Sequence, residues 1–278
     1  MNKQAIDTAT FGADNAGTVA LVGAGPGCKD LITLRGVQRL QEADIIFYDR
    51  LVDPEILDLA RRDAERVYVG KAPGCHHWPQ DKISAVLVST ARQGKRVVRL
   101  KCGDPGVFAR GAEEANALNA AGIAYEIVPG VTAASAASAA LGGFMTERGT
   151  CDTLVLATGR AESADRPQDW LQILNPGTRV AIYMGVGAAP SIAQALREAE
   201  LEDHVEISIV SRAQEKDQII ARCRASTLVE TIRKDNISNP AIFFLTLPQA
   251  ASSSVGVKRQ ARSSFDTDGR QPMAAIQT

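Results

Sequence analysis

Short apolar runs rich in β-branched residues alternate with longer segments of helical spacing over the first half of the chain. These runs are bounded by glycine, proline or aspartate, which is typical of buried strands. We predict strands at 18–22, 44–48, 66–69, 95–100 and 124–128. We predict helices between them at 31–43, 54–62, 81–93 and 112–121. This alternation indicates a mostly parallel sheet covered by helices on both faces.

A second set of similar elements begins after an Ala/Ser-rich helix predicted at 133–141. Its strands are predicted at 153–157, 179–184, 205–210 and 241–245, and its helices at 191–199 and 228–236. We therefore predict an α/β protein of two domains with mostly parallel sheets, at 18–132 and 133–248. Segment 1–17 is expected to be a flexible arm, and 249–278, which lacks apolar periodicity, a disordered tail.

The composition excludes some classes of function. The net charge of the 278 residues is −1, which gives no electrostatic basis for binding nucleic acid or a membrane surface. No apolar run approaches the ~20 residues of a spanning helix. The 5 cysteines are odd in number and scattered, as is typical of reduced thiols. We expect a cytoplasmic protein.

The stretch 99–114, RLKCGDPGVFARGAEE, follows a predicted strand and opens a predicted helix. Open α/β sheets bind ligands in the crevice beyond such strand ends. Gly103 permits close backbone approach, Asp104 offers an acceptor for hydroxyl or ammonium groups, and Pro105 stiffens the turn. Taken alone, the stretch fits an ordinary strand-to-helix turn equally well.

A glycine loop, GAGPG at 23–27, follows the first predicted strand in the manner of a dinucleotide-binding site. Cys28 stands where the third glycine of G-x-G-x-x-G would be, and Pro26 removes a backbone N–H donor. Asp44 and Asp49 nevertheless lie about 20 residues further on, where a ribose-binding acid would sit. Dinucleotide binding therefore stays an alternative.

Six motifs follow one another along the chain, and their order carries more weight than any one of them: GAGPG, YDRLV, GKAPGCHHWPQ, RLKCGDP, VPGVTAAS and YMGV. Together they resemble the uroporphyrinogen-III C-methyltransferases of the tetrapyrrole methylase group, which use S-adenosylmethionine, over 18–248. The resemblance implies a cofactor cleft between the two domains and a homodimer. It also implies methylation of uroporphyrinogen III at two ring positions, giving precorrin-2 through precorrin-1.

The resemblance also assigns roles to residues. It implies that Asp49 accepts and Lys71 donates a proton near the reacting atoms. The implied contacts of S-adenosylmethionine, and of its product S-adenosylhomocysteine, are backbone groups, one carboxylate and small or apolar side chains: Pro26, Cys102, Gly103, Asp104, Val107, Thr132, Ala133, Met184, Ala213 and Ala241.

Uroporphyrinogen III carries eight carboxylates, so guanidinium groups are expected around it. Arg50, Arg110 and Arg148 lie within or beside the motifs and are the candidates, although each also fits an ordinary surface arginine. Glu113 is expected to hold one of them or to accept a pyrrole N–H. Cys75, His76 and His77 are possible metal ligands, but side chains of adjacent residues rarely converge on one ion. We therefore expect no metal site.

Several departures from the family pattern fall near the expected pocket. Cys102 replaces a glycine, Gly106 an aromatic residue and Arg160 a histidine, while Glu147 places a negative charge where a polyanion would approach. Two alternatives therefore stay open. One is a methylase of the same fold acting on another tetrapyrrole, and the other is a catalytically weak regulatory protein that binds the cofactor.

Overall fold

The structure is a computed structural model that describes residues 17–70, 78–159 and 170–249. Within these ranges the strands form two five-stranded sheets with helices packed on them. The predicted α/β class is confirmed. Both the predicted arm and the predicted tail lie almost wholly outside the described residues, and no described helix is long and apolar enough to cross a membrane.

The first sheet has the strand order β3-β2-β4-β1-β5, and every neighbouring pair is parallel. Its strands are β1 (Thr18–Gly23), β2 (Ile45–Tyr48), β3 (Glu65–Tyr68), β4 (Arg96–Lys101) and β5 (Tyr125–Val128). Its helices are α1 (Leu34–Glu42), α2 (Pro54–Leu57), α3 (Gln80–Ala91) and α4 (Gly111–Ala120).

The alternating side chains of β1 show why both faces of this sheet are covered. Ala20 and Val22 pack in one core cluster with Leu40 of α1. Val19 and Leu21 pack in another core cluster, with Leu87 of α3. Because successive strand residues point to opposite faces, a strand that is apolar at every position requires helices on both sides.

The second sheet has the order β6-β7-β10-β8-β9. Its strands are β6 (Thr153–Thr158), β7 (Thr178–Tyr183), β8 (Glu206–Ser211), β9 (Ile219–Cys223) and β10 (Ala241–Leu247). Helices α5 (Ala133–Ala140), α6 (Trp170–Ile173), α7 (Ala189–Glu198) and α8 (Leu228–Lys234) belong to this half of the chain. Residues of α5 share a core cluster with β7, β8 and β10, and those of α7 and α8 lie in a second cluster.

The expectation of a mostly parallel second sheet is wrong. Only β6 and β7 pair in parallel, while the other three pairings are antiparallel. The sequence analysis missed β9, and the short loop 212–218 that joins it to β8 closes a hairpin. A parallel pairing would have required a crossover of a dozen or more residues.

The crevice for a ligand lies between β1 and β4 of the first sheet. The chain leaves β1 in the direction of β2 and leaves β4 in the opposite direction, toward β5, so the order of connection reverses at a topological switch point. Gly25 and Gly103 tie the loops together, with Gly103 N–H donating to Gly25 O at 2.9 Å and Gly25 N–H to Gly103 O at 3.2 Å.

Candidate functional site

A cavity of about 900 Å³ opens at this crevice and is lined by loops of both sheets. It brings together most of the residues that the sequence singled out. Those that line it are Asp49, Arg50, Pro26, Cys102, Gly103, Asp104, Val107, Arg110, Thr132, Ala133, Met184, Ala213 and Ala241. Residues more than 200 positions apart in the chain therefore meet at one surface.

Three of the predicted site residues are not among the described lining of the cavity. Lys71 lies outside the described residues, as does the 75–77 cluster. Glu113 does not line the cavity but binds Arg110, with Arg110 Nη2 2.6 Å from Glu113 Oε2. Arg148 is exposed on a turn closed by the bridge between Glu147 and Cys151, and is also absent from the described lining.

The Asp104 carboxylate holds two loops in place. Its Oδ1 accepts the Gly106 N–H at 2.7 Å, and its Oδ2 accepts the Gly130 N–H at 2.9 Å. The loop after β4 is thereby fixed to the loop after β5. Each carboxylate oxygen retains a lone pair, so Asp104 can still accept a hydrogen bond from a ligand in the cavity.

The backbone itself forms the wall beside Asp104. Gly103 has a φ of +72°, and a Cβ built there would meet nothing closer than Ala133 N at 3.8 Å. The glycine thus exposes main chain to the cavity where any side chain would project into it. The neighbouring Cys102 adds an uncharged surface, because burial, and then the negative charge of Asp49, raise the pKa of its thiol to about 12.

A buried charge network forms part of the wall, and the sequence analysis did not assign it a role. Arg99 Nη2 lies 2.7 Å from Asp49 Oδ1, and Arg99 Nε lies 3.0 Å from Glu114 Oε1. Lys101 Nζ lies 2.9 Å from both Glu114 oxygens. Gln80 Nε2 donates to the same carboxylate at 3.2 Å.

The network balances two cations against two carboxylates in a nearly dry environment. Glu114 is fully buried, and the side chains of Arg99 and Lys101 are 2% and 3% exposed. Burial, and then the Arg99 cation, lower the pKa of Lys101. A signal was present in the sequence: charged residues two apart in an otherwise apolar central strand must share one face of the sheet.

Tyr183, at the end of β7, joins the two halves of the cavity. Its hydroxyl lies 2.5 Å from Thr132 Oγ1 and accepts the Ala134 N–H at 3.2 Å. Its ring packs against Phe108, with the ring centroids 4.9 Å apart. The sequence analysis placed Tyr183 only within a motif, since a tyrosine gives no local sign of a distant partner.

Three non-glycine residues of the lining adopt left-handed backbone conformations, namely Phe108 (φ 51°), Arg110 (φ 56°) and Met184 (φ 56°). Such conformations cost on the order of 1–2 kcal/mol each and persist where the surrounding structure imposes them. They concentrate at functional sites, which agrees with the position of the cavity.

The lining fits a ligand with both polar ends and apolar surface. Val107, Met184 and the alanines offer apolar contact, while Asp104 and backbone groups offer hydrogen bonds. An adenosine with an amino-acid end combines these two kinds of surface, so the lining is compatible with it. Within the described part of the chain, no three His, Cys, Asp or Glu side chains converge as metal ligands would.

The first sheet is open and parallel, and the cavity at its switch point is also lined by loops of the second sheet. This arrangement is typical of an α/β protein that binds a ligand between two sheets. The sequence model of the tetrapyrrole (corrin/porphyrin) methylases matches residues 18–229. The chain therefore belongs to the tetrapyrrole methylases.

Curated relatives of this chain are siroheme synthases. The protein from Chromobacterium violaceum is 51% identical over 187 residues, which cover 67% of this chain and 40% of the relative. The one from Gluconacetobacter diazotrophicus is 42% identical over 243 residues, which cover 86% of this chain and 51% of the relative. This chain thus spans about half the length of the curated relatives it matches.

Solved structures share the fold over most of their length. A uroporphyrin-III C-methyltransferase from Thermus thermophilus, complexed with S-adenosylhomocysteine, matches with a TM-score of 0.70 and 36% identity, covering 83% of this chain and 97% of that one. A cobalt precorrin-4 methyltransferase matches with a TM-score of 0.72 and 25% identity, covering 82% and 94%.

Proposed function

We propose that this chain transfers methyl groups from S-adenosylmethionine to two ring carbons of uroporphyrinogen III, giving precorrin-2 through precorrin-1. The observation that carries the proposal is that Asp49, Arg50 and Arg110 line the same cavity as the residues expected to bind the cofactor. The higher identity to uroporphyrin-III C-methyltransferase than to cobalt precorrin-4 methyltransferase supports this substrate. The proposal is limited to methyl transfer, because the chain spans only part of the siroheme synthases.

When bound, S-adenosylmethionine supplies a methyl group activated by a positively charged sulfur. The leaving group is the neutral thioether S-adenosylhomocysteine, which needs no acid to assist its departure. The chain therefore needs mainly to hold the pyrrole carbon and the methyl group in line. The Gly103 main chain and the Asp104 carboxylate are placed to bind polar atoms of the cofactor, and Val107, Met184 and Ala213 its apolar surface.

Carbon methylation is completed when a proton leaves the substrate. We assign its acceptance to Asp49, whose carboxylate lines the cavity and is oriented by Arg99 at 2.7 Å. A positioned general base contributes about 10²–10⁴-fold to such a step. The resemblance also proposes Lys71 as a proton donor, but the methyl transfer as written releases one proton and consumes none, so no step is assigned to Lys71.

Substrate carboxylates are assigned to the arginines of the cavity. Arg50 and Arg110 both line it, and Arg110 stands at the start of α4, where the helix dipole also favours an anion. Glu113 holds the Arg110 fork through Nε and Nη2, at 2.7 and 2.6 Å. Arg148 is proposed as a further anchor from its exposed turn.

Incubation with enzymatically prepared uroporphyrinogen III and methyl-labelled S-adenosylmethionine tests the proposal. Mass analysis should show a product with two added methyl groups and an intermediate with one. Cobalt precorrin-4 is tested as an alternative substrate in a separate reaction. Methylation of that compound alone would contradict the proposed substrate, and binding of S-adenosylhomocysteine without any methylation would favour a regulatory protein.

The same proposal includes a homodimer. Large apolar side chains stand exposed on the described surface, including Leu34 at 90% and Phe144 at 77%. Sedimentation should give about twice the chain mass of 29.5 kDa. A single species of the chain mass at micromolar concentration would refute it.

A further inference from the structure

The hydroxyl groups of Tyr183 and Thr132 form a short relay at the cavity wall, joined by a hydrogen bond in which either oxygen can be the donor. The Ala134 N–H donates to the Tyr183 oxygen at 3.2 Å, so this oxygen acts as an acceptor. Burial raises the pKa of Tyr183, so the phenol keeps its own hydrogen at neutral pH. That hydrogen needs an acceptor of its own.

Thr132 Oγ1, 2.5 Å away, can be this acceptor. Donation from Tyr183 leaves the phenol oxygen with one incoming hydrogen bond, from the Ala134 N–H, whereas donation from Thr132 would give it two. Once Thr132 Oγ1 accepts from Tyr183, the remaining hydrogen of Thr132 must be donated elsewhere. Thr132 is half-buried and lines the cavity, so the open direction for that hydrogen is the cavity itself.

The relay also explains an irregular helix start. Thr132 is the N-cap of α5 and has extended backbone angles (φ −73°, ψ 150°), yet its side chain makes no cap hydrogen bond. A threonine in this position usually accepts an N–H of the first turn. Here the Tyr183 hydroxyl takes the Ala134 N–H instead, which releases the Thr132 side chain for another role.

We propose that Tyr183 is a positioning residue that turns the Thr132 hydroxyl into a hydrogen-bond donor toward an acceptor atom of the methyl-donor cofactor. The inference rests on the proposed function, because it takes this cavity as the cofactor site. The acceptor is either the carboxylate of the amino-acid end or an oxygen or nitrogen of the adenosine. Both require the same donor.

Calorimetry with S-adenosylhomocysteine tests the inference on four variants. Thr132→Val removes the donor and Tyr183→Phe lets Thr132 return to capping α5, so each should raise Kd about fivefold, the effect of one neutral hydrogen bond. Thr132→Ser keeps the hydroxyl and should bind within twofold of the parent. The double variant Thr132→Val with Tyr183→Phe should bind no more weakly than either of these single variants, since both changes remove the same hydrogen bond to the cofactor.

Tyr125→Phe is the matched control, because its hydroxyl accepts only an exposed Asn119 amide at 3.1 Å, away from the described cavity lining. It should not change Kd. Repeating the titrations with 5′-methylthioadenosine locates the acceptor. The loss should vanish with this probe if the bond goes to the carboxylate and persist if it goes to the adenosine.

Two results would overturn the inference: a folded Tyr183→Phe protein with the parent's Kd, or losses that multiply in the double variant. If Tyr183→Phe does not fold, equal affinities of Thr132→Val and Thr132→Ser would overturn it as well. Failure of the parent protein to bind S-adenosylhomocysteine would instead refute the proposed function.

Discussion

Lys101 Nζ lies 2.9 Å from both carboxylate oxygens of Glu114, and neither side chain reaches solvent to a significant extent. Arg99 shares the same carboxylate and extends the contact to Asp49. A group proposed to take part in the reaction is therefore held by a charge network inside the protein, so changes to the network should affect both stability and turnover.

Replacement of Glu114 by glutamine should destabilise the fold. It leaves Lys101 and Arg99 buried with one carboxylate between them, and removal of one member of a buried ion pair costs about 3–5 kcal/mol. Chemical denaturation measures the loss. Glu55→Gln is the control, since its ion pair with Lys29 is 54% exposed and screened by solvent, so its loss should change stability far less. Similar losses for both variants would argue against a role for the network.

Asp49→Asn should lower turnover by about 100-fold or more while the Kd of S-adenosylhomocysteine changes by less than about twofold. The amide cannot accept the substrate proton, but it preserves the shape of the cavity wall. Single-turnover kinetics and calorimetry separate the two effects. Asp58→Asn, at an aspartate whose side chain is 77% exposed, is the control. Full activity of the Asp49 variant would remove this residue from the mechanism.

Arg110→Lys should reduce turnover by about tenfold and leave cofactor affinity unchanged. Glu113 already binds Nε and Nη2 of Arg110, so a substrate carboxylate would meet the outer amino groups of the guanidinium. Lysine keeps the charge but cannot bind both carboxylates in a fixed planar geometry. Steady-state kinetics should show the loss mainly in kcat/KM for the tetrapyrrole. Near-parental activity, or a main effect on S-adenosylhomocysteine binding, would contradict the assignment and make Arg148 the leading carboxylate anchor.

Acid sensitivity should depend on Asp44. A hydrogen bond from Arg96 is the main cause that lowers the pKa of this carboxyl from 3.8 to about 2. A lowered pKa in the folded state means that the contribution to stability is complete above the unfolded value and is lost as pH falls from about 4 to about 2.

Asp44→Asn should therefore lower the free energy of unfolding at pH 6 and have much less effect near pH 2. Urea denaturation at a series of pH values measures this. The parent and the variant should converge as the pH falls, and a constant difference over the whole range would show that the ion pairs of Asp44 do not titrate as described.

Local pattern was enough to predict most of the elements. The apolar run of β1 and the glycines that follow it indicate a buried strand and a loop able to approach a ligand closely, since periodicity and backbone freedom are properties of neighbouring residues. The same reasoning located Gly103 and Asp104. It failed for the pairing of β8 and β9, because whether two strands pair in parallel or antiparallel depends on their neighbours in the folded sheet.

The sequence alone thus determined the α/β class, the parallel first sheet and, through the order of its motifs, the tetrapyrrole methylase family. Only the tertiary structure decided which side chains act together. Arg99 meets Asp49 across 50 positions, and Thr132 meets Tyr183 across 51. The sequence shows that Arg99 shares a face of its strand with Lys101, but it does not identify the partner in either pair, because a hydrogen bond between distant segments depends on the packing of the sheets that carry them.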